Sequence, residues 1–89
     1  MASIDFSEAF VEDMLKVRLA SKRDEILSRI ELLEYVPEMG SRILPSSVSL
    51  RFGGEAYKLV ADPFDVIYQY FPNDDLVYVV ALLYQREAS

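Results

Sequence analysis

The sequence contains no cysteine and no histidine among its 89 residues. Without cysteine, the chain cannot form a disulfide framework or a thiolate metal site. Without histidine, it lacks the commonest general base and the imidazole ligand of most zinc and iron centres. A nucleotide-binding glycine motif, a nucleophile elbow and a cluster of metal ligands are absent as well. We therefore expect no cofactor and no metal ion.

Positive charge is also scarce, because nine Lys and Arg residues stand against fifteen Asp and Glu, for a net charge of −6. Such a surface repels polyphosphate unless a few cations are concentrated locally. The longest apolar run, from Leu76 to Tyr84, is nine residues, too short to cross a bilayer as a helix. The N-terminal segment has acidic residues at Asp5 and Glu8 and no long apolar run, so it is not typical of a signal peptide. These observations predict one cytoplasmic domain over residues 1–89 that does not enter a membrane.

The first half of the chain has helical periodicity after a short opening strand at Ile4 and Phe6. Ser7 is a helix N-cap residue by type, and a helix is predicted from about Glu8 to Leu19. A second helix is predicted from near Ser21, where Ser21 and Asp24 have the spacing of a capping box, to the break at Pro37. The residues predicted to be buried by the two stripes are Phe10, Met14, Ile26, Ile30 and Leu33.

The second half has eight of the eleven aromatic residues and the alternation of strands. Strands are predicted over Val48–Phe52, Ala56–Ala61, Phe64–Phe71 and Leu76–Tyr84, with a hairpin turn at Gly53-Gly54. The last strand is apolar at even and odd positions alike, which is typical of a strand in the middle of a sheet. The predicted fold is α+β, a two-helix hairpin packed on an antiparallel sheet.

Three cations belong to the strand half: Arg51, Lys58 and Arg86. They could be solvated at strand edges or paired with acids such as Asp65. They could instead form a small cluster at one end of the sheet, beside Tyr84, that holds a phosphate. The residues alone leave both interpretations open.

The whole layout resembles the RelE/ParE superfamily, the toxins of type II toxin–antitoxin modules. The resemblance depends on Leu33-x-x-x-Pro37-x-x-Gly40, on Tyr57-Lys58, on the segment Pro63–Tyr68 and on Leu82-Leu83-Tyr84-Gln85-Arg86. It implies a toxin that is neutralised by a cognate antitoxin. RelE-like members cleave mRNA on the ribosome with a cluster of Lys and Arg, whereas ParE-like members inhibit DNA gyrase without cutting RNA.

By position, the resemblance assigns a functional cation to Lys58 and to Arg86, with Tyr84 and Arg51 as further candidates for the catalytic set. The sequence departs from the ribonuclease pattern at Asp65, where the family usually has Arg, and in its net charge of −6. Three hypotheses follow: a metal-independent endoribonuclease, a non-catalytic toxin that binds a target such as gyrase, and a degenerate toxin-like domain retained for protein binding or self-association. Asp65 favours the second and third.

The apolar sheet also predicts a protein partner, because two helices can cover only one of its faces. An exposed second face would bind the antitoxin, or a second copy of the chain in a homodimer. Because the chain is acidic, we expect the contacting antitoxin segment to be less acidic than usual, or basic.

Overall fold

A computed structural model describes residues 1–42 and 56–85 of the chain. The elements follow in the order β1 (Ser3–Phe6), α1 (Glu8–Leu15), α2 (Ala20–Glu31), a short 3₁₀ turn (Leu32–Glu34), β2 (Tyr57–Ala61), β3 (Phe64–Phe71) and β4 (Leu76–Tyr84). The predicted strand at Val48–Phe52, the Gly53-Gly54 turn and the cations Arg51 and Arg86 lie outside the described residues. Within the described ranges, no helix combines the length and apolar character needed to cross a membrane.

The four described strands form one sheet in the order β1-β4-β3-β2. The two strands predicted to be apolar on both faces, β3 and β4, are the central pair. The sheet is mixed, because β1 runs parallel to β4 while the other neighbours are antiparallel. The α+β architecture is therefore confirmed. The later strands pair antiparallel as expected, and β1 joins them as a parallel edge strand.

The helices differ from the sequence prediction at their ends. Ser7 is the N-cap of α1 as expected, and its hydroxyl accepts a hydrogen bond from Phe10 N at 3.0 Å. The helix ends four residues early because Lys16 N bonds the Asp13 and Met14 carbonyls, and buried Val17 follows. The N-cap of α2 is Leu19, which makes no side-chain capping bond, so the predicted box of Ser21 and Asp24 is not formed.

Both helices pack on one side of the sheet, which we call the proximal face. All five residues predicted to be buried there are buried: Phe10, Met14, Ile26, Ile30 and Leu33. α1 contacts mainly β4 and α2 contacts mainly β2, so the helices rest on different strands. Their neighbours in the apolar stripes, Val11, Leu15 and Leu27, remain exposed.

The other side of the sheet, the distal face, has a second, smaller apolar cluster. Ala56, Ile67 and Ala81 are buried there, with Val80 and Leu83 packed against them. Ile67 has 0% of its surface exposed and Ala81 has 3%. The bare apolar patch expected on this face is therefore absent at its centre within the single chain.

Candidate functional site on the distal face

Lys58 lies on the distal face of β2. Alternation along the strand buries Tyr57, Leu59 and Ala61 in the proximal core and points Lys58 to the opposite side. Its register partner on β3 is the buried Ile67. Lys58 is half-buried, and among the described residues it makes no ion pair. Its ammonium is thus available to a ligand.

The backbone of Lys58 is held on its outer edge by Ser41. Ser41 N donates to Lys58 O and Lys58 N donates to Ser41 O, both at 2.8 Å, as an isolated antiparallel bridge. Gly40 is the residue before Ser41, and its N–H donates to the Tyr68 hydroxyl at 3.0 Å. The Gly40 end of the family motif therefore fixes the strand that carries Lys58.

Tyr84 does not join Lys58. A β-bulge lies where Ile67 pairs with Ala81 but Tyr68 pairs with Val79, which leaves Val80 as the extra residue. The insertion reverses the alternation of β4, so that Val79 and then Leu82 both face the proximal core. Tyr84 follows Leu82 to that side, where its ring meets the Phe64 ring at 5.6 Å.

Two strand spacings and three residues separate Lys58 from Tyr84, roughly 14 Å between Cα atoms. Because the two side chains are also on opposite faces, the expected cluster of Lys58 with Tyr84 is not formed. Tyr84 instead lines an open cavity of about 470 Å³ with Asp13 of α1 and with Lys16, the C-cap of that helix.

Asp65 occupies the place where the family usually has Arg, and it shares the distal face with Lys58. Its neighbours on β3, Phe64 and Val66, face the proximal core. Asp65 is only 5% exposed, and the Gln85 side-chain amide donates to it at 3.1 Å. The same amide nitrogen donates to Asp62 at 2.8 Å. Burial and the hydrogen bond from Gln85 therefore fix the position of the Asp65 carboxylate on this face.

Lys58 and Asp65 are diagonal neighbours, because the partner of Lys58, Ile67, is two residues from Asp65 on β3. Such positions have Cα atoms about 7–8 Å apart. No ion pair closes between them among the described contacts. For a group bound above both, the charges of these two side chains oppose each other.

Sequence reasoning missed Arg42, a cation at the same edge of the sheet. Its guanidinium carbon lies 5.1 Å from the centroid of the Tyr57 ring, and its Nη2 donates to the Tyr57 hydroxyl at 2.9 Å. Tyr57 in turn stacks on Tyr68 with centroids 5.2 Å apart. Fifteen residues separate Arg42 from Tyr57, and no local pattern predicts that contact.

Tyr68 anchors this column of rings. It has no exposed surface, and burial, the largest cause, raises the pKa of its phenol from 10.0 to about 12. The phenol therefore stays protonated at neutral pH and acts as a structural hydrogen-bonding group. Tyr57 and Tyr68 both belong to the proximal core, so this hydroxyl lies on the opposite side of the sheet from the Lys58 side chain.

On the distal face, the described residues place one half-buried ammonium and one nearly buried carboxylate beside an apolar centre that is itself buried. A single ammonium can hold one phosphate oxygen as a point charge. Within residues 1–42 and 56–85, no general base lies directly beside this ammonium, and no group of His, Cys, Asp and Glu side chains could hold a metal.

Comparison with known proteins identifies the fold. No protein-family model matches the chain, and no curated protein matches it. Solved structures do match. The chain from the intact E. coli RelBE toxin–antitoxin complex superposes with a TM-score of 0.68 at 18% identity, over 92% of this chain and 94% of the other. A RelE–RelB complex from Pyrococcus horikoshii gives 0.71 at 15% identity, over 94% of both chains.

A mutant of the E. coli toxin RelE in the free state matches over all of this chain and 88% of its own, with 26% identity and a TM-score of 0.63. These superpositions cover nearly every element in both partners. The chain therefore has the α+β fold of RelE toxins, and the resemblance inferred from its motifs is confirmed at the level of the fold.

Proposed function

We propose that this chain is the toxin component of a type II toxin–antitoxin module and is neutralised by an antitoxin protein. The observation that carries the proposal is the superposition on RelE over 92–94% of the chain, which includes toxins crystallised with their antitoxins. As a single domain over residues 1–89, it would act on a target in the cytoplasm.

The direct test is inducible expression in a bacterial host. Wild-type chain should arrest growth within a few generations, and co-expression of the neighbouring gene product should restore growth. A version with an early stop codon controls for the burden of expression. Normal growth on full induction, with the folded protein accumulating, would refute the toxin proposal.

For the mode of action, we propose binding to a protein target such as DNA gyrase over RNA cleavage. Asp65 supports this choice. A carboxylate about 6 Å from a phosphate repels it by roughly 3 kcal/mol at an effective dielectric constant of 20. That repulsion offsets an attraction of similar size from Lys58. The net charge of −6 adds unfavourable long-range steering toward an RNA particle.

The ribonuclease hypothesis remains the second candidate because Lys58 is present and makes no ion pair with any residue that the structure describes. It assigns Lys58 and Arg86, with Arg51, to the scissile phosphate. Primer extension on mRNA after induction separates the two. If the chain cleaves RNA, position-specific cuts should appear and should be lost in Lys58→Ala and in Arg86→Ala. Arg18→Ala, at an exposed arginine between α1 and α2, should retain them.

If the chain acts by binding, growth arrest should occur without new mRNA ends. Supercoiling by purified gyrase should then fall on addition of the purified chain, and Arg18→Ala should inhibit like the wild type. Cuts that require Lys58 would overturn the binding mechanism and leave the toxin proposal intact.

A further inference from the structure

The helices leave an apolar valley between them on the outer surface. Its floor is made by Phe10 and Met14, and its walls by Val11, Leu15 and Leu27, around an open volume of about 330 Å³. Val11 is 48% exposed, Leu15 is 79% exposed and Leu27 is 38% exposed. α1 rests mainly on β4 and α2 on β2, and residues of both helices line this valley.

Phe6 at the end of β1 connects this valley to two further grooves. One of about 300 Å³ runs beside Phe6 along α1, and the other, of about 310 Å³, runs along β1 toward Ile30. Phe6 lines all three and is itself 42% exposed. An apolar surface that is continuous over several side chains is unusual on a monomer and marks a docking site.

The border of these grooves is acidic. The acids that line them are Glu8, Glu12, Asp24, Glu31 and Glu34. The only cation among the lining residues is Arg23, whose guanidinium already donates to the Val17 carbonyl. None of the five acids belongs to an ion pair among the described contacts. In particular, Glu12 is not paired with Lys16, although the two are four residues apart on the chain.

We propose that the α1–α2 valley is the docking site of a basic amphipathic helix. Apolar side chains at i, i+3, i+4 and i+7 of that helix would fill the valley between Val11, Leu15 and Leu27. Lysine or arginine residues on its flanks would face the acidic border. A second copy of this chain fits poorly, because its own border would place acid against acid.

The source of the helix rests on the proposed function: it would be a segment of the antitoxin. This toxin would then have the opposite charge arrangement from a basic toxin bound by an acidic antitoxin. The docking itself can be tested without that assumption, because it depends only on the valley and its border.

The probe is a synthetic 18-residue helical peptide with leucines at i, i+3, i+4 and i+7 and lysines on both flanks. Its counterpart has glutamate in place of every lysine. Fluorescence anisotropy with the full-length chain at 0.15 M salt gives the two Kd values. The basic peptide should bind at least tenfold more tightly, and its advantage should shrink at higher salt because these charges are exposed.

Two pairs of variants locate the binding. Val11→Asp should weaken the basic peptide at least tenfold, whereas Leu32→Asp, at a residue 50% exposed outside the valley, should leave it within twofold. Glu12→Lys should weaken it about threefold to tenfold, whereas Glu38→Lys, at an exposed acid away from the grooves, should not. Because all four residues are largely exposed, circular dichroism should show an unchanged fold.

Equal affinity for both peptides, or equal loss in Val11→Asp and Leu32→Asp, would overturn the docking proposal. So would sedimentation of the wild-type chain as a dimer that Val11→Asp dissociates, because the occupant would then be a second copy. If both Val11→Asp and the wild type arrest growth and are rescued equally by the antitoxin, the valley is not its docking site and the toxin proposal survives. If the peptide binds as expected but the chain is not toxic, only the toxin proposal falls.

Discussion

Gly40→Ala tests whether the family motif acts through packing at the edge of the sheet. A Cβ placed on Gly40 would lie 2.8 Å from the Tyr68 hydroxyl and 2.9 Å from the Lys58 carbonyl oxygen. Neither neighbour can move freely. Tyr68 has no exposed surface and is stacked on Tyr57, and the Lys58 carbonyl is bonded by Ser41 N. The methyl group therefore has to displace the loop from the sheet.

The expected cost is about 2–4 kcal/mol of unfolding free energy. Overpacking contributes about 1–3 kcal/mol, and the Tyr68 hydroxyl that loses the Gly40 N–H contributes about 1–3 kcal/mol more. The lower entropy of the unfolded alanine chain returns about 0.4–1 kcal/mol. For an 89-residue domain whose total stability is about 4–13 kcal/mol, this loss should be large in a urea titration followed by circular dichroism.

A double-mutant cycle with Tyr68→Phe separates this cause from others. The phenylalanine removes the oxygen that the new methyl group would meet first, so the two losses should be less than additive by about 1 kcal/mol. Strict additivity would show that the clash with Tyr68 is not the reason that glycine is needed. A loss below about 0.5 kcal/mol for Gly40→Ala alone would refute the packing argument altogether.

Three further outcomes are expected. Ile30→Ala should lose about 2–5 kcal/mol because Ile30 is 1% exposed, whereas exposed Leu27→Ala should lose less than about 1; equal losses would mean that the buried stripe is misassigned. The free energy of unfolding should fall by up to about 2 kcal/mol as pH rises from 10 to 12, because the Tyr68 phenol has the lower pKa in the unfolded chain and loses its proton there at lower pH. A Tyr68→Phe protein with the same decline would disprove this cause. Asp65→Arg should lose about 2–4 kcal/mol and Asp65→Asn less than about 1.5, because asparagine still accepts from Gln85; if the distal face is a ribonuclease site, the arginine variant that folds should cleave mRNA faster.

Local patterns in the sequence were sufficient for several elements. The bounds of β3 and β4 agree with the prediction because turn residues flank both strands, as at Asp62-Pro63 and Pro72–Asp75. The buried positions of both helices were also predicted correctly, since their spacing is helical. The start of α2 was predicted within one residue, but its cap was predicted wrongly, because a polar pair at capping distance does not by itself form the cap.

The arrangement of the candidate site could not be predicted in the same way. Every residue of Leu76–Tyr84 is apolar, so the sequence has no alternation that would reveal the bulge at Val80. That one extra residue decides the face on which Tyr84 lies. The burial of Asp65 depends likewise on Gln85, twenty residues further along the chain. Contacts between residues this far apart in the sequence depend on the register of the strands, which no local pattern reveals.

The parallel pairing of β1 with β4 has a consequence for the order in which the chain can fold during synthesis. β1 is complete at residue 6, yet its register partners begin at Leu76, and the Ser7 hydroxyl donates to the Val80 carbonyl across 73 residues. Closing a loop of that length costs about 4 kcal/mol of chain entropy. In a nascent chain that ends before β4, β1 lacks its parallel partner and α1 lacks the strand against which it mainly packs. The packing of β1 and α1 on β4 can therefore form only after the chain has been synthesised through Leu76–Tyr84.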